Sequence, residues 1–110
     1  MDTQLKRGLL DALILKILTK KESYGYKIIT DVSKHLEVSE STLYPVLKRL
    51  EDSGCLTTYR EEHNGRLRKY YKITDEGKLK LKKFKSKTKE LKQVIDFIVG
   101  GKNKWRKKSF

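Results

Sequence analysis

The sequence predicts a mainly α-helical protein with one small β-hairpin and a long C-terminal helix. Three observations lead to this fold class. First, three segments before the middle of the chain have apolar residues at helical spacing. Second, an Asn-Gly pair separates two further segments that are rich in β-forming residues. Third, the last segment begins with a helix-capping sequence and again has apolar residues at helical spacing. A chain of 110 residues is long enough for one domain with an added element.

The first predicted helix covers residues 4–19, where apolar side chains recur every three or four positions. These side chains are Leu5, Leu9, Leu10, Leu13, Ile14, Ile17 and Leu18. The stripe is broader than a surface helix of a small domain needs to reach its core. Part of it is therefore predicted to form a contact between subunits, and an ordinary core helix is the alternative.

The second and third predicted helices are shorter and follow each other closely. Residues 24–36 form the second, with Ser23 as its expected N-cap. The third covers residues 39–52 and ends before Gly54, a residue that commonly terminates helices. Its apolar stripe consists of Leu43, Val46, Leu47 and Leu50, and the opposite side carries Ser41, Pro45 and Lys48. The third helix is thus predicted to expose hydroxyl and basic groups.

A β-hairpin follows the third helix. Residues 55–62 and 66–73 are predicted strands because they are rich in Thr and Tyr or alternate in polarity. Asn64-Gly65 between them favours a two-residue turn, since both residue types tolerate a positive φ. Three helices followed by such a hairpin predict a winged helix-turn-helix.

The last predicted helix begins at Thr74-Asp75-Glu76, a hydroxyl cap followed by acidic residues. Leu81, Phe84, Thr88, Leu91, Ile95 and Ile98 alternate spacings of three and four, as in a coiled-coil seam. So small a domain cannot cover this seam, so the helix is predicted to pair with its copy in a second subunit. The predicted organisation is a winged helix-turn-helix domain over residues 1–73, a dimerisation helix over 74–99 and a basic flexible tail over 100–110.

The formal net charge of +13 favours a polyanionic partner, nucleic acid before an anionic membrane surface. The single cysteine, Cys55, excludes an internal disulfide and is typical of a protein of the reducing cytoplasm. No apolar stretch approaches about 18 residues, and the start of the chain does not resemble a signal peptide. A cytoplasmic protein without a membrane partner is expected.

Enzyme chemistry is not expected. The sequence contains no paired carboxylates in a plausible cleft, no nucleophile–base motif and no glycine-rich phosphate loop. His35, Cys55 and His63 lack the tight pair spacing of metal ligands. We therefore expect no metal and no other cofactor.

Three blocks of the sequence resemble the PadR family of bacterial transcriptional regulators. The first is Tyr24-Gly25-Tyr26-Lys27-Ile28, similar to the second-helix motif of the family. The second is the segment 41–51, STLYPVLKRLE, similar to its recognition helix. The third comprises Gly65-Arg66 and the segment 68–77, RKYYKITDEG, similar to its wing and the start of its last helix. The blocks occur in order, and the resemblance covers about residues 5–99.

The resemblance implies a homodimeric DNA-binding regulator, usually a repressor, of the smaller PadR subfamily with a short C-terminal region. The dimer would be built mainly by the last helix, aided by the first. Some members of that group bind flat aromatic effectors between subunits through an aromatic residue on the last helix. In this chain the only tryptophan, Trp105, lies beyond Gly100-Gly101 instead, so a small-molecule effector is left open.

The working hypothesis assigns double-stranded DNA as the partner and names the residues that contact it. The third helix would enter the major groove of a near-palindromic operator, the hairpin would contact phosphates or the minor groove, and the second helix would bind backbone phosphates. The predicted DNA-binding residues are Tyr24, Tyr26, Lys27, Ser39, Ser41, Thr42, Tyr44, Lys48, Arg49, Arg66, Arg68 and Lys69. The predicted dimerisation residues are Leu9, Leu13, Leu81, Phe84, Leu91, Ile95 and Ile98.

Two alternatives have the same fold and a different function. A non-specific architectural protein would use the high positive charge to bind any duplex equally. A winged-helix module for protein interactions would have no need for arginines on the hairpin or for hydroxyl and basic groups on the third helix.

Overall fold

Four helices and three strands make up the computed structural model, which describes residues 1–100. They are α1 (Thr3–Lys20), β1 (Ser23–Tyr24), α2 (Gly25–Ser33), α3 (Glu40–Asp52), β2 (Leu56–His63), β3 (Arg66–Ile73) and α4 (Asp75–Ile98). The strands form one antiparallel sheet in the order β1-β3-β2. Helices α2 and α3 with the β2–β3 hairpin form the winged helix-turn-helix, which confirms the predicted fold class.

The region around residue 23 differs from the prediction. Ser23 does not cap α2; it lies in β1 opposite Tyr71, and its hydroxyl is buried without a partner among the described residues. Tyr24 occupies the N-cap position and makes no side-chain cap hydrogen bond. α2 also ends at Ser33, before the predicted end at residue 36. The expected two-stranded hairpin is therefore a three-stranded sheet, with β1 added by tertiary pairing.

The turn of the β2–β3 hairpin has the predicted geometry. Asn64 and Gly65 have φ values of 53° and 80°, both in the left-handed region that a two-residue hairpin turn of this type requires. His63 pairs with Arg66 across the turn, and the register continues to Leu56 opposite Ile73. We call the distal part of this hairpin, residues 60–69, the wing.

The hydrophobic core joins all four helices to the sheet. The buried apolar side chains are Leu10, Ile14, Leu15, Leu18, Ile28, Val32, Leu43, Val46, Leu47, Leu50, Cys55, Leu56, Tyr71, Ile73 and Leu81. The α3 stripe is buried as predicted. Leu81 was expected at a subunit interface, but it is only 6 % exposed within the single chain, so the first half of α4 packs against the domain.

A salt-bridge cluster joins α1, α3 and α4. Asp11 of α1 is 8 % exposed and accepts hydrogen bonds from both terminal nitrogens of Arg49, Nη2 to Oδ1 at 2.8 Å and Nη1 to Oδ2 at 3.1 Å. Lys80 of α4 places its Nζ 3.8 Å from Oδ2 of the same carboxylate. The hydrogen bonds to Asp11 raise the pKa of the Arg49 guanidinium above its ordinary value. A bidentate pair of this kind fixes orientation as well as distance, so it constrains the angle of α3 on α1.

Helix α4 is anchored at its base and leaves the domain towards its end. The Thr74 hydroxyl donates to the carbonyl oxygen of Gly54 at 2.6 Å and accepts from the N–H of Gly77 at 3.1 Å. The far half exposes large apolar side chains, namely Leu91, Val94, Ile95, Phe97 and Ile98. The described residues, 1–100, consequently extend over 63 Å in one direction and 25 Å in the other two. The predicted tail beyond Gly100, with Trp105, lies outside the described residues.

Arg49→Ala is expected to lower the free energy of unfolding by about 1–3 kcal/mol, because it leaves the buried Asp11 carboxylate without its main partner. The Arg49 side chain is 32 % exposed, so solvent screens part of the loss. Urea unfolding at pH 7, with all variants at one protein concentration, measures the difference.

The control for this prediction is the neighbouring Lys48→Ala. Lys48 pairs with Asp52 one turn along the same helix, and its side chain is 72 % exposed, so its loss should change stability by less than about 0.5 kcal/mol. Equal losses for the two variants would contradict a structural role of Arg49.

Candidate nucleic-acid interface

The start of α3 carries three adjoining hydroxyl groups. Ser39, the N-cap residue, places its Oγ 3.0 Å from that of Ser41 and donates to Thr42 Oγ1 at 3.2 Å. All three side chains are exposed. Short hydroxyls beside the free N–H groups of a helix N-terminus allow a close approach of phosphate or base edges. This end of α3 can therefore serve as a donor-rich contact surface.

One turn further along α3, Tyr44 and Lys48 have different surroundings. Lys48 is largely exposed and donates to Asp52 at 3.2 Å, an ion pair of the solvated kind. The Tyr44 ring packs over Gly25 so closely that a Cβ there would come within 2.6 Å of the Tyr44 hydroxyl oxygen. Burial, with Glu40 nearby, raises the pKa of Tyr44 above its ordinary value. Gly25 thus permits the contact of α2 with α3. One part of the Tyr44 side chain packs against Gly25, and the rest is exposed.

Two cations predicted to bind DNA form ion pairs within the domain. Arg49 is held by Asp11, as described above. Lys69 donates to Glu51 of α3 at 3.4 Å and lies 5.3 Å from the ring centre of Tyr71. Helical or strand periodicity could predict neither ion pair, because each involves a carboxylate that is distant in the sequence.

The wing is fixed to α3 through Glu51. This carboxylate accepts hydrogen bonds from Thr58 of β2 at 3.1 Å and from Lys69 of β3 at 3.4 Å. Arg66 and Leu67 are exposed near the tip of the wing, and the Arg68 guanidinium lies 4.0 Å from the centre of the Tyr24 ring. Glu51 therefore links the hairpin to α3, and the wing carries arginine side chains beyond this link.

The start of α2 contributes the remaining predicted contacts. Tyr26 is exposed and Lys27 pairs with Asp31, Nζ to Oδ2, at 3.6 Å. Tyr24 is half-buried in β1 next to Tyr70. The structure thus attaches the start of α2 to the sheet through β1, which sequence reasoning missed.

Four of the predicted dimerisation residues, Leu9, Phe84, Leu91 and Ile95, line a groove between α1 and α4. Leu9 and Leu13 of α1 and Phe84 of α4 are half-buried, whereas Leu91, Ile95 and Ile98 are exposed. The groove has a volume of about 500 Å³ and is lined by Leu5, Leu9, Phe84, Leu91, Ile95 and their neighbours. Its walls are almost entirely apolar, so water covers an unusually large hydrophobic surface in the single chain.

One feature of the candidate site was not predicted, although the sequence contains a signal for it. The pairing of Tyr59 with Tyr70 follows directly from a two-residue turn at Asn64-Gly65, because that turn fixes the register of the whole hairpin. By contrast, nothing in the local sequence marks Asp11 as the partner of a residue 38 positions away.

In residues 1–100, no three His, Cys, Asp or Glu residues come together as a candidate metal group, and no helix is long and apolar enough to cross a membrane.

Comparisons with known proteins give one consistent result. The family model for the transcriptional regulator PadR-like family matches residues 14–83. A crystal structure of a Streptococcus mutans protein is similar with 44 % identity and a TM-score of 0.79, covering 89 % of this chain and 92 % of that one. A PadR family transcription regulator from hypervirulent Clostridium difficile is 36 % identical with a TM-score of 0.74, covering 82 % and 97 %.

A curated relative agrees with this assignment. A Mycobacterium tuberculosis protein described as a transcriptional regulator is 32 % identical over 83 residues, which are 74 % of this chain and 78 % of the relative. Regulators of this family are DNA-binding proteins and not enzymes. The family match over more than half of the chain, together with the winged helix-turn-helix and its related structures, shows that the chain belongs to the PadR-like family of transcriptional regulators.

Proposed function

We propose that this regulator is a homodimeric repressor that recognises a near-palindromic operator through α3 and the wing. The observation that carries the proposal is the exposed hydroxyl and lysine face of α3, held in a fixed relation to an arginine-bearing wing by Glu51. A rigid pair of elements is suited to contacting one duplex at two places. The proposed site of action is the chromosome in the cytoplasm.

In this proposal the N-terminal half of α3 enters the major groove. Ser39, Ser41 and Thr42 would approach bases and phosphates at the helix start, and Lys48 would reach guanine acceptors or a phosphate after leaving Asp52. Tyr44 would offer its hydroxyl from the edge of the packed ring. Arg49 is assigned no DNA contact here, because its guanidinium is bound to Asp11.

The wing would neutralise phosphates beside the groove that α3 enters. Arg66 and Arg68 are the proposed contacts of each subunit, with Tyr26 and Lys27 of α2 on the adjoining backbone. Lys69 would act indirectly by joining the wing to α3 through Glu51. Contacts to phosphate position the protein, and the α3 contacts would supply the sequence preference.

The groove between α1 and α4 is the proposed dimer contact, with a second copy of the chain as its occupant. Exposed apolar residues continue along α4 from Leu91 to Val99, and a seam at spacings of three and four fits a partner helix. Two-fold symmetry would then place two α3 helices on two half-sites. A flat aromatic effector, if one is bound between subunits, would meet Phe84, which lines this groove.

A second candidate function, non-specific duplex binding, is favoured by the charge of α4. Eight lysines lie on its exposed surface: Lys78, Lys80, Lys82, Lys83, Lys85, Lys87, Lys89 and Lys92. They would raise the affinity for any duplex and make it strongly dependent on salt. The two functions differ in sequence preference and not in affinity alone.

The experiment that separates them is selection of duplexes from a random library by the purified full chain, followed by titration at about 150 mM salt. A regulator should prefer the selected duplex over a scrambled one by about 10³ or more, and the selected sequence should have two inverted half-sites. Equal binding to both duplexes would support the non-specific alternative. No binding to either would overturn the proposal and favour a protein partner.

Lys48→Ala is expected to weaken binding to the selected duplex about tenfold, because it removes a donor from the exposed face of α3. Fluorescence anisotropy at fixed salt measures the change. Lys85→Ala, which removes the same charge from the exposed surface of α4, should change affinity by about twofold or less. An equal effect of the two substitutions would mean that only net charge matters.

Replacing both Arg66 and Arg68 by Ala is expected to flatten the dependence of log K on log salt by up to about 2, at roughly 0.9 for each phosphate that is no longer neutralised. Titrations from about 50 to 300 mM salt give this slope. A slope equal to that of the wild type would remove the wing from the proposed phosphate-binding surface.

Leu91→Asp is expected to convert the dimer to a monomer, because it places a charge in the proposed apolar seam. Sedimentation at several concentrations tests this directly. Leu79→Asp is the matched control, since Leu79 is exposed to nearly the same extent, 50 % against 51 %, but lies outside the seam. A Leu91→Asp protein that still sediments as a dimer would show that another surface forms it.

A further inference from the structure

Three tyrosines form a continuous row across the sheet. Tyr24 of β1 and Tyr59 of β2 both pair with Tyr70 of the central strand β3. The Tyr59 and Tyr70 rings are stacked, with centres 5.3 Å apart and planes 8° apart. The Tyr24 ring meets Tyr70 edge to face at 5.6 Å. Each ring therefore limits the motion of the next.

The row is held at one end and carries a cation at the other. The Tyr59 hydroxyl donates to the Glu22 carboxylate at 3.3 Å. At the opposite end the Arg68 guanidinium carbon lies 4.0 Å from the centre of the Tyr24 ring. Arg68 and Tyr70 are two residues apart on β3, so both side chains point to the same face of the sheet. The geometry is that of a cation–π contact.

Arg68 differs from four other cations of the candidate interface in how it is held. Lys27, Lys48, Arg49 and Lys69 each lie within 4 Å of a carboxylate oxygen. Within residues 1–100, the Arg68 guanidinium has neither an ion pair nor a hydrogen bond, and it packs on the Tyr24 ring instead. Its charge is thus oriented without being neutralised by an acidic side chain.

A cation–π contact does not neutralise a guanidinium, because the aromatic ring carries no formal negative charge. The guanidinium has five N–H donors, so a ring on one side of it leaves donors for a phosphate. A free arginine side chain also loses rotational freedom when it binds a ligand, and a stacked one has lost part of it beforehand. The contact with Tyr24 therefore favours binding of an anion at the wing.

We infer that Tyr24 is a positioning residue for DNA binding: its ring holds Arg68 in the orientation that contacts a phosphate, and its hydroxyl makes no essential contact. This inference rests on the proposed function, and it changes the role first predicted for Tyr24, a hydrogen bond to phosphate. Tyr70 contacts the Tyr24 ring, and Tyr59 in turn stacks on Tyr70. The start of α2 and the wing are joined by this row in addition to the β1–β3 pairing.

Four variants of the full chain test the inference on the duplex selected by the wild type. Tyr24→Phe keeps the ring and should bind within about twofold of the wild type. Tyr24→Leu removes the ring and should bind about threefold to tenfold more weakly, which lies within the roughly twofold to thirtyfold effect of a cation–π contact. Arg68→Ala should weaken binding at least as much. Adding Tyr24→Leu to Arg68→Ala should have no further effect beyond about twofold.

A second measurement follows the stacking itself without DNA. Protons of the Arg68 side chain above an aromatic ring should have resonances displaced by its ring current. NMR should find this displacement in the wild type and in Tyr24→Phe and find it absent in Tyr24→Leu. Thermal unfolding confirms that each variant is folded, and Tyr24→Met replaces Tyr24→Leu should the latter not fold.

The outcomes distinguish the inference from the proposed function. If Tyr24→Phe binds as weakly as Tyr24→Leu, the hydroxyl is the contact and the inference is overturned while DNA recognition stands. The inference also fails if Tyr24→Leu and Arg68→Ala are additive, because the two side chains then act separately. If Arg68→Ala binds like the wild type, the proposed wing contact itself is wrong, and the inference fails with it.

Discussion

One partly buried ion pair constrains the orientation of α3. Asp11 and Arg49 lie on different helices and meet through two parallel hydrogen bonds. Removing both groups from water is unfavourable, and only a well-aligned pair offsets that cost. The apolar stripe of α3 determines which side the helix buries but allows small rotations and shifts. A bidentate pair allows far fewer, and Lys80 brings the base of α4 to the same carboxylate. The angle at which α3 meets a ligand is therefore determined inside the domain.

The positive charge of the candidate nucleic-acid interface is distributed in two ways. Three lysines each form an ion pair with a carboxylate: Lys27 with Asp31, Lys48 with Asp52 and Lys69 with Glu51. An incoming phosphate must therefore compete with a carboxylate for each lysine. Arg66 and Arg68 have no such competitor in the described part of the chain. The first group lowers the general attraction for polyanions, while the second retains it at the wing. Such a division favours ligands whose shape brings α3 and the wing into contact together.

The parts of the fold that were predictable have strong local signals. The α3 stripe, the Asn64-Gly65 turn and the cap at Thr74 each act over a few residues, and each is found as predicted. β1 was missed because a two-residue strand has no periodicity and exists through pairing with β3. Arg49 and Leu81 were assigned to outer surfaces because periodicity gives the face of a helix but not what covers it. The DNA contacts and the division into a DNA-binding part and a dimerisation helix stay predictions.

The attachment of α4 gives it the properties of a lever. It is fixed at its base by Thr74 and near its second turn by Lys80 and Leu81. From Phe84 to Ile95 it lies beside α1 across the groove, and Ile98 near its end is exposed. With 24 residues it is about 36 Å long, so a tilt of about 5° at the base displaces the far end by about 3 Å. In a two-fold assembly this motion would alter the separation of the two α3 helices. A modest repacking near the base would thereby be amplified into a mismatch with half-sites one turn of DNA apart.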